Sequence, residues 1–135
     1  MKVKSSNLIP KNKEDVDFIK NLNLKSIKEI KGIIPKLLEW MQDINWTQTG
    51  LLFDYFSPYI NEIDNEIVDI LKGNDGLWKY SILLGLILNP SADIMPNDRI
   101  LYAVQKLYEN ATEDDIESGN IELAEEILEK YKFNQ

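Results

Sequence analysis

The sequence predicts an all-α fold built from stacked antiparallel helix pairs. Apolar residues recur at three- and four-residue spacing along most of the chain, and no stretch between turn signals alternates with a period of two. Glycine, proline and asparagine divide this pattern into segments of ordinary helix length. With 135 residues, of which 44% are hydrophobic, the chain is long enough for one domain spanning 1–135 with its own core.

The first third of the chain is predicted to form short helices separated by breaks. Residues 14–22 carry an apolar stripe, and Ser26 and Glu29 have the spacing of a capping box. Pro35 is tolerated in the first turn of the next helix, which is expected to run to about Ile44. The two apolar stripes are Val16, Phe18, Ile19 and Leu22, and then Ile33, Leu37, Trp40, Met41 and Ile44.

The middle of the chain is predicted to contain two helices joined by a kink. Asn45 is the expected N-cap of the helix that follows it, and Pro58 must kink or end that helix because it removes an amide donor. Asn61 is the expected cap of a helix over residues 62–72. Gly73 stands where a left-handed residue commonly ends a helix.

The segment 78–88 is apolar on nearly every side, which predicts the buried centre of the domain. A further helix is predicted over residues 98–110, and Thr112 or Asn120 is expected to cap the last one. In the central segment the residues expected to be largely buried are Trp78, Ile82, Leu83 and Leu86. The inner face of the last helix is expected to consist of Ile121, Ala124, Ile127, Leu128 and Tyr131.

A weak internal repeat favours paired helices. At an offset of 32 residues, five positions of the first turn and helix match the second: Asp43, Trp46, Thr49, Leu51 and Leu52 fall on Asp75, Trp78, Ser81, Leu83 and Leu84. Helical-hairpin repeats have similar periods of roughly 34–47 residues. Five matches in a helix-rich sequence are equally compatible with chance, so both interpretations stay open.

Three short runs give the chain a resemblance to a known family. Leu8-Ile9-Pro10-Lys11, Asp43-Ile44-Asn45-Trp46 and Trp78-Lys79-Tyr80, in this order and spacing, resemble the uncharacterised bacterial domain of unknown function family 5071. Two departures are Thr47, where proline is expected, and the missing proline before Thr112. The resemblance implies a HEAT-like α–α superhelix and implies no activity.

Composition narrows the possible chemistry. The chain has no His and no Cys, which excludes the usual zinc sites, Cys nucleophiles and His-based triads, and we expect no metal and no cofactor. The longest apolar run is far shorter than the roughly 20 residues of a membrane span, and residues 1–7 lack the apolar part of a secretory signal. A cytoplasmic protein without a membrane partner is therefore expected, and its oligomeric state is undetermined.

Charge is unevenly distributed along the chain. The net charge is −8, yet residues 1–45 carry nine Lys against six Asp or Glu, whereas residues 46–135 carry six Lys or Arg against seventeen Asp or Glu. An acidic surface repels phosphate backbones, so no nucleic-acid partner is expected. A basic protein partner is the better inference.

The candidate site residues fall into two groups. Trp46, Asp43 and Asp75 lie at predicted turns, where the tryptophan is either a core residue or part of an aromatic groove. Asp43 and Asp75 would stand side by side if the repeat is real, as in a glycoside hydrolase, although cap and turn roles explain them equally well. The second group belongs to the acidic run 109–129 and consists of Glu122, Glu125, Glu126 and Glu129.

Two hypotheses of different class follow. The first is a non-catalytic protein-interaction module that docks a basic partner through an acidic face, here taken to include Glu109, Glu113, Asp114, Asp115 and Glu117. The second is a small carboxylate-dependent hydrolase or ligand-binding protein with an aromatic groove. A deep, closed pocket with a carboxylate of raised pKa would favour the second hypothesis, and an open groove or flat exposed patch would favour the first.

Overall fold

A computed structural model describes residues 7–133, and over that range the fold is all-α without a β-strand. The α-helices are α1 (Phe18–Leu22), α2 (Ile34–Glu39), α3 (Thr47–Phe56), α4 (Asp64–Lys72), α5 (Gly76–Ile82), α6 (Asp98–Glu109), α7 (Glu113–Ser118) and α8 (Asn120–Lys130). Two 3₁₀ segments, Lys28–Ile33 and Ser57–Ile63, lead into α2 and α4, and a π-helical segment, Leu83–Leu88, continues α5.

Alternate helices in the second half of the chain pack against one another. Helix α6 lies between α4 and α8, while α5 packs on α7, and the π segment contacts both α8 and α3. The most deeply buried side chains sit where these helices meet; Phe56, Ile60, Leu86, Val104 and Ile127 are fully buried. Burial of such apolar surface is the main force that holds the helices together.

The segment from α5 through the π segment is the centre of the fold, as predicted. Asp75 caps it by accepting a hydrogen bond from the Trp78 amide at 3.1 Å. Ile82, Leu83 and Leu86 are fully buried. Trp78 packs against the core but is only partly buried, so it is less enclosed than the other three. Its side chain lies at the edge of the packed segment and lines an open cleft with Leu38 of α2 and Ile70 of α4.

The N-terminal part differs from the prediction in its boundaries. The Ser26–Glu29 capping box is present as two reciprocal hydrogen bonds of 3.0 and 3.3 Å, and Pro35 does lie in the first turn of α2. Helix α1 begins only at Phe18, which leaves Val16 exposed rather than on the apolar stripe. The residues before α1 instead form turns, whose Lys13 and Asp15 carbonyls accept hydrogen bonds from the buried Gln48 side chain.

Helix α2 ends at Glu39, five residues earlier than predicted, and residues 40–46 form successive turns. The reason is a competing set of hydrogen bonds. The Thr49 hydroxyl lies 3.1 Å from the Trp40 carbonyl and 2.6 Å from the Asp43 carbonyl, and it fixes the connection in a non-helical path. The predicted Asn45 cap was wrong, because Trp46 occupies the N-cap position of α3 and no side chain caps that helix.

This connection yields a stability prediction. Thr49→Val should lower the free energy of unfolding by about 1–2 kcal/mol, because it removes the buried hydroxyl whose single proton is shared between the two carbonyls of the turn. Asn45→Ala, the matched change at the exposed neighbouring position, should cost less than about 0.5 kcal/mol. Urea unfolding followed by circular dichroism measures both. Equal costs for the two variants would contradict the assignment of Thr49 as the residue that fixes the turn.

Two further residues in the middle of the chain, Asn61 and Gly73, do not have the helix-end roles that were predicted for them. Pro58 kinks the chain at Tyr59 as expected, but α4 begins at Asp64 and Asn61 does not cap it. The Asn61 side chain reaches across to the loop before α6, where it binds the Met95 carbonyl and the Asn97 amide. Gly73 has an extended backbone rather than a left-handed one, with φ of −76° and ψ of −169°.

The C-terminal region contains two helices where one was predicted. Thr112 caps α7 in a capping box with Asp115, and Gly119, with φ of 82°, ends α7 and leads into α8. Asn120 is buried and caps neither helix. On the inner face of α8, Ala124 and Ile127 are buried, Ile121, Leu128 and Tyr131 are partly buried, and Leu123 also belongs to the core.

No helix within residues 7–133 is long and apolar enough to cross a membrane. The expectation that the chain lacks a secretory signal rests mainly on residues 1–6, which lie outside the described range.

Candidate functional site

The structure distributes the predicted site residues over separate places. Asp43 lines a cleft with Leu77 and Tyr80, whereas Asp75 lines a different cleft beside Trp78 and α2. Each carboxylate accepts a local amide hydrogen bond, from Asn45 at 2.9 Å for Asp43 and from Trp78 at 3.1 Å for Asp75. Both therefore have turn or cap roles, and the two carboxylates do not line a common cleft of the kind that acid–base catalysis by a pair requires.

Trp46 belongs to a small aromatic cluster at the start of α3. Its ring lies 5.7 Å from the ring of Trp40, tilted by 57°, and the Lys13 ammonium is 5.3 Å from its centroid. Both tryptophans are partly buried. Contacts of this kind stabilise by about 0.5–1.5 kcal/mol each, so Trp46 anchors the turn while keeping one part of its ring in contact with solvent.

The four glutamates of α8 are exposed and share the outer side of that helix. We refer to Glu122, Glu125, Glu126 and Glu129 as the acidic α8 surface. Their spacing in the sequence places them within two turns, opposite the buried Ala124 and Ile127. Like charges at this spacing repel one another, so the surface lowers the stability of the isolated protein rather than raising it.

A cleft of about 530 Å³ runs beside this surface, between α6 and α8. Tyr108, Leu128 and Phe133 supply its apolar wall. Its charged lining consists of three carboxylates and one ammonium, those of Glu109, Glu125, Glu129 and Lys132. The Tyr108 hydroxyl donates to Glu125 at 3.4 Å and fixes one carboxylate at the edge. Apolar surface beside carboxylates suits a Lys or Arg side chain, whose aliphatic stem packs while its charged end pairs.

Asp115 does not belong to the exposed acidic face, and its inclusion there was wrong. Its side chain is 2% exposed and pairs with Lys79, which is 3% exposed, at an N–O distance of 3.1 Å. Asn120 and the Thr112 amide also donate to its two oxygens, at 3.0 and 3.1 Å. Asp115 is therefore a buried, fully bonded carboxylate at the junction of α5, α7 and α8.

Helices α5 and α7 approach each other closely beside this ion pair. Gly76, at the start of α5, donates its amide to the Asp114 carboxylate at 2.8 Å, and its carbonyl accepts from Asn120 at 2.9 Å. A Cβ atom on Gly76 would meet Ser118 Oγ at 2.6 Å and the Asp114 carbonyl at 2.7 Å. Only glycine permits α5 and α7 to come this close, and the Lys79 and Asp115 side chains are buried where these helices meet.

The protonation of Asp115 follows from these contacts. Burial raises the pKa of Asp115, but hydrogen bonds from Asn120, Thr112 and Lys79, together with the Lys79 charge, outweigh burial and lower its pKa below the usual value. A general acid needs a raised carboxylate pKa, so Asp115 is suited to structure rather than to acid catalysis. In residues 7–133 there is also no group of three or more acidic side chains placed to hold a metal ion.

The sequence contained a signal for this ion pair that the helical pattern obscured. Thr112 and Asp115 have capping-box spacing, which turns the Asp115 side chain back towards the start of α7. Lys79 is a single cation in the most apolar stretch of the chain. A lysine buried in such a stretch needs an acidic partner, although the sequence does not identify which one.

Comparison with known families identifies the family of this chain. The model of a family described as a domain of unknown function (DUF5071) matches residues 8–128. This confirms the resemblance inferred from the three sequence runs above, and it covers every helix described here except the last two residues of α8. No curated protein matches the chain.

Proposed function

The chain belongs to the DUF5071 family of domains of unknown function, and we propose that it is a non-catalytic protein-interaction module that docks a basic partner through the acidic α8 surface. The observation that supports this proposal best is the exposure of Glu122, Glu125, Glu126 and Glu129 on one side of α8. These glutamates form no ion pair with the described Lys and Arg side chains.

The electrostatic repulsion within the acidic α8 surface supports a binding role. Four uncompensated carboxylates within two helical turns repel one another, and a basic partner would relieve that repulsion on binding. The cleft between α6 and α8 adds an apolar contribution, because Tyr108 and Phe133 offer partly exposed rings next to Glu125 and Glu129. A partner that places Lys or Arg side chains along this cleft would match both its charge and its apolar wall.

We infer that the helices form a HEAT-like α–α superhelix. In such a fold successive helices alternate between two layers, and each layer packs along its own length. The row α4–α6–α8 and the contact between α5 and α7 are consistent with this arrangement. The cysteine-free sequence is consistent with action in the reducing cytoplasm. Within this scheme the acidic α8 surface lies at the C-terminal end of the stack.

Charge reversal on α8 tests the proposed partner directly. We expect the variant with Glu122, Glu125, Glu126 and Glu129 all changed to Lys to lose a basic partner that the wild type captures from its cell of origin. The matched control changes Glu14, Glu39, Glu62 and Asp93 to Lys. Their side chains are exposed and form no hydrogen bond within residues 7–133, and none of the four belongs to α8. Both variants have the same net charge.

Quantitative mass spectrometry of the three captures gives the readout, and circular dichroism verifies that each variant retains its helix content. The proposal predicts a basic protein that is enriched on wild type and control and is depleted at least about tenfold on the α8 variant. A partner retained equally by all three proteins would reduce the acidic α8 surface to a solvated face. Loss from both variants would mean that net charge, rather than this surface, determines capture.

A further inference from the structure

Another cleft, between α4, α6 and the start of α7, has a charge opposite to that of the acidic α8 surface. It encloses about 360 Å³ and is lined by four cationic side chains, Lys72, Lys79, Arg99 and Lys106, against the single carboxylate of Asp115. The chain as a whole has 23 acidic and 15 basic residues, so this concentration of positive charge runs against its composition. We call this feature the cationic cleft.

The one carboxylate in the cationic cleft does not oppose an incoming anion. Asp115 is neutralised by Lys79 and its oxygens also accept from Thr112 and Asn120. Both hydrogen bonds of the Lys79 ammonium go to Asp115, at 3.1 and 3.3 Å, and an ammonium has a third proton to donate. The buried pair therefore presents a polar wall of near-zero net charge.

Three cations lie at the mouth and keep N–H donors for a ligand. Arg99 has one ion pair, with Asp64 at 3.7 Å, which leaves most of its five N–H donors available. Lys106 pairs with Glu109 at 3.6 Å and lies 5.2 Å from the centroid of the Tyr102 ring. Interaction with Tyr102, followed by Glu109, raises the pKa of Lys106 above its usual value. Lys72, at the end of α4, has no ion pair with a described carboxylate.

The floor of the cationic cleft is apolar. Val68, Leu71, Ala103 and Leu107 are 4–7% exposed, while the core residues behind them, such as Ile67 and Val104, are 0% exposed. This small remaining exposure belongs to atoms that face the cleft, since the four residues line it. The exposed ring of Tyr102 extends the apolar wall towards the mouth.

We propose that the cationic cleft binds a small molecule in which a phosphate or carboxylate group is attached to an apolar body. The anionic group contacts Arg99, Lys72 and Lys106, because a guanidinium and ammonium groups bind such oxyanions through charge-assisted hydrogen bonds. The apolar body lies on Leu71, Ala103 and Leu107. The volume falls in the usual range of about 300–1,000 Å³ for ligand pockets. This site is separate from the acidic α8 surface and does not depend on a protein partner.

Four probes test the two parts of the proposed ligand: phenyl phosphate, benzoate, phenol and inorganic phosphate. Each is titrated into the ¹⁵N-labelled full chain and followed by NMR. We expect phenyl phosphate or benzoate to bind with a Kd of about 1 mM or tighter and to shift amides of α4 and α6. Phenol and inorganic phosphate, which each lack one part, should bind at least about tenfold more weakly. The tighter of the two full probes identifies the preferred oxyanion.

Variants in which Gln replaces selected Lys and Arg residues locate the site. Lys72→Gln, Arg99→Gln and Lys106→Gln together should weaken the tighter probe more than about tenfold. The control combines Lys28→Gln, Lys31→Gln and Lys36→Gln, which removes the same charge from exposed positions outside the cleft and should leave the affinity within about threefold. Neither set includes the buried Lys79, and thermal unfolding verifies that both variants fold.

Several results would overturn the proposal. One is the absence of binding by phenyl phosphate and benzoate at about 10 mM, tenfold above the weakest expected Kd. Others are equal weakening in both variants and amide shifts confined to residues outside α4, α6 and α7. Sedimentation velocity of the unliganded protein adds a further test. Concentration-dependent association that the cationic-cleft variant lacks would show that the acidic surface of a second copy occupies the cleft instead.

Discussion

Lys79→Met should lower the free energy of unfolding by about 3–5 kcal/mol, the largest loss we expect from any single substitution described here. The Lys79 and Asp115 side chains are 3% and 2% exposed, so removing the ammonium leaves a carboxylate buried without a counter-charge. The methionine side chain replaces the aliphatic stem of lysine, which isolates the effect of the charge. Urea unfolding followed by circular dichroism measures the loss.

A second variant separates the charge from the packing. Lys79→Met combined with Asp115→Asn removes both charges and retains an amide oxygen for the Thr112 donors, while an amide nitrogen replaces the oxygen that accepts from Asn120. We expect this double variant to be more stable than Lys79→Met alone, because no uncompensated charge remains. If the single and double variants unfold at the same urea concentration with the same slope, the ion pair is not the cause of the loss.

The same ion pair makes the free energy of unfolding depend on pH. The pKa of Asp115 is lower in the folded protein than its ordinary value of about 3.9, so the unfolded chain binds its proton first as pH falls. The stabilisation from Asp115 is therefore complete above about pH 5 and is lost as pH falls through the lowered folded-state pKa. The double variant should lose less stability than wild type over this acidic window.

Leu86→Ala should cost about 2–5 kcal/mol, since Leu86 is fully buried in the π segment at the centre of the fold. The removed side chain leaves a cavity among helices that cannot close independently. Leu77→Ala is the matched control, because Leu77 lies in the adjoining α5 but is 67% exposed. Its cost should stay below about 0.5 kcal/mol. Similar unfolding midpoints for the two variants would contradict the central position of this segment.

The residue spacing predicted much of the helical architecture. Helix α3 ends before Pro58 as expected, α6 differs from its predicted range by one residue, and the segment from Trp78 to Leu88 is central as expected. These are stretches where the three- and four-residue apolar periodicity is strong and nearby residues supply the boundary. Local information is sufficient there, because the face that packs and the residues that end the helix lie close together in the chain.

Boundaries set by distant contacts were not predictable in this way. Asn61 looked like a cap but binds the loop before α6, more than thirty residues away. The position of Thr49 gave no sign that its hydroxyl would hold the Trp40 and Asp43 carbonyls and end α2 early. Gly73 and Gly119 are equivalent as sequence signals, yet only Gly119 adopts the left-handed conformation that ends a helix.

The candidate site also combines features that local sequence predicts with features that depend on distant contacts. The four α8 glutamates are exposed because they lie on the face of the helix opposite Ala124 and Ile127, and the residue spacing predicted this. Burial of Asp115 inside an acidic run depends on Lys79, which lies 36 residues earlier in the chain. The cationic cleft likewise combines α4 with α6, so a charge count along the sequence does not reveal it.

The binding of the captured basic partner as a function of salt concentration tests the central proposal most directly. Surface plasmon resonance would measure association with wild type, with the α8 Glu→Lys variant and with its charge-matched control. Between 0.1 and 1 M salt the Debye length falls from about 10 to about 3 Å. We therefore predict that the association rate constant falls at least about tenfold for wild type and control, while the α8 variant does not bind. A rate constant that is independent of salt, together with unaltered affinity of the α8 variant, would contradict docking through the acidic α8 surface.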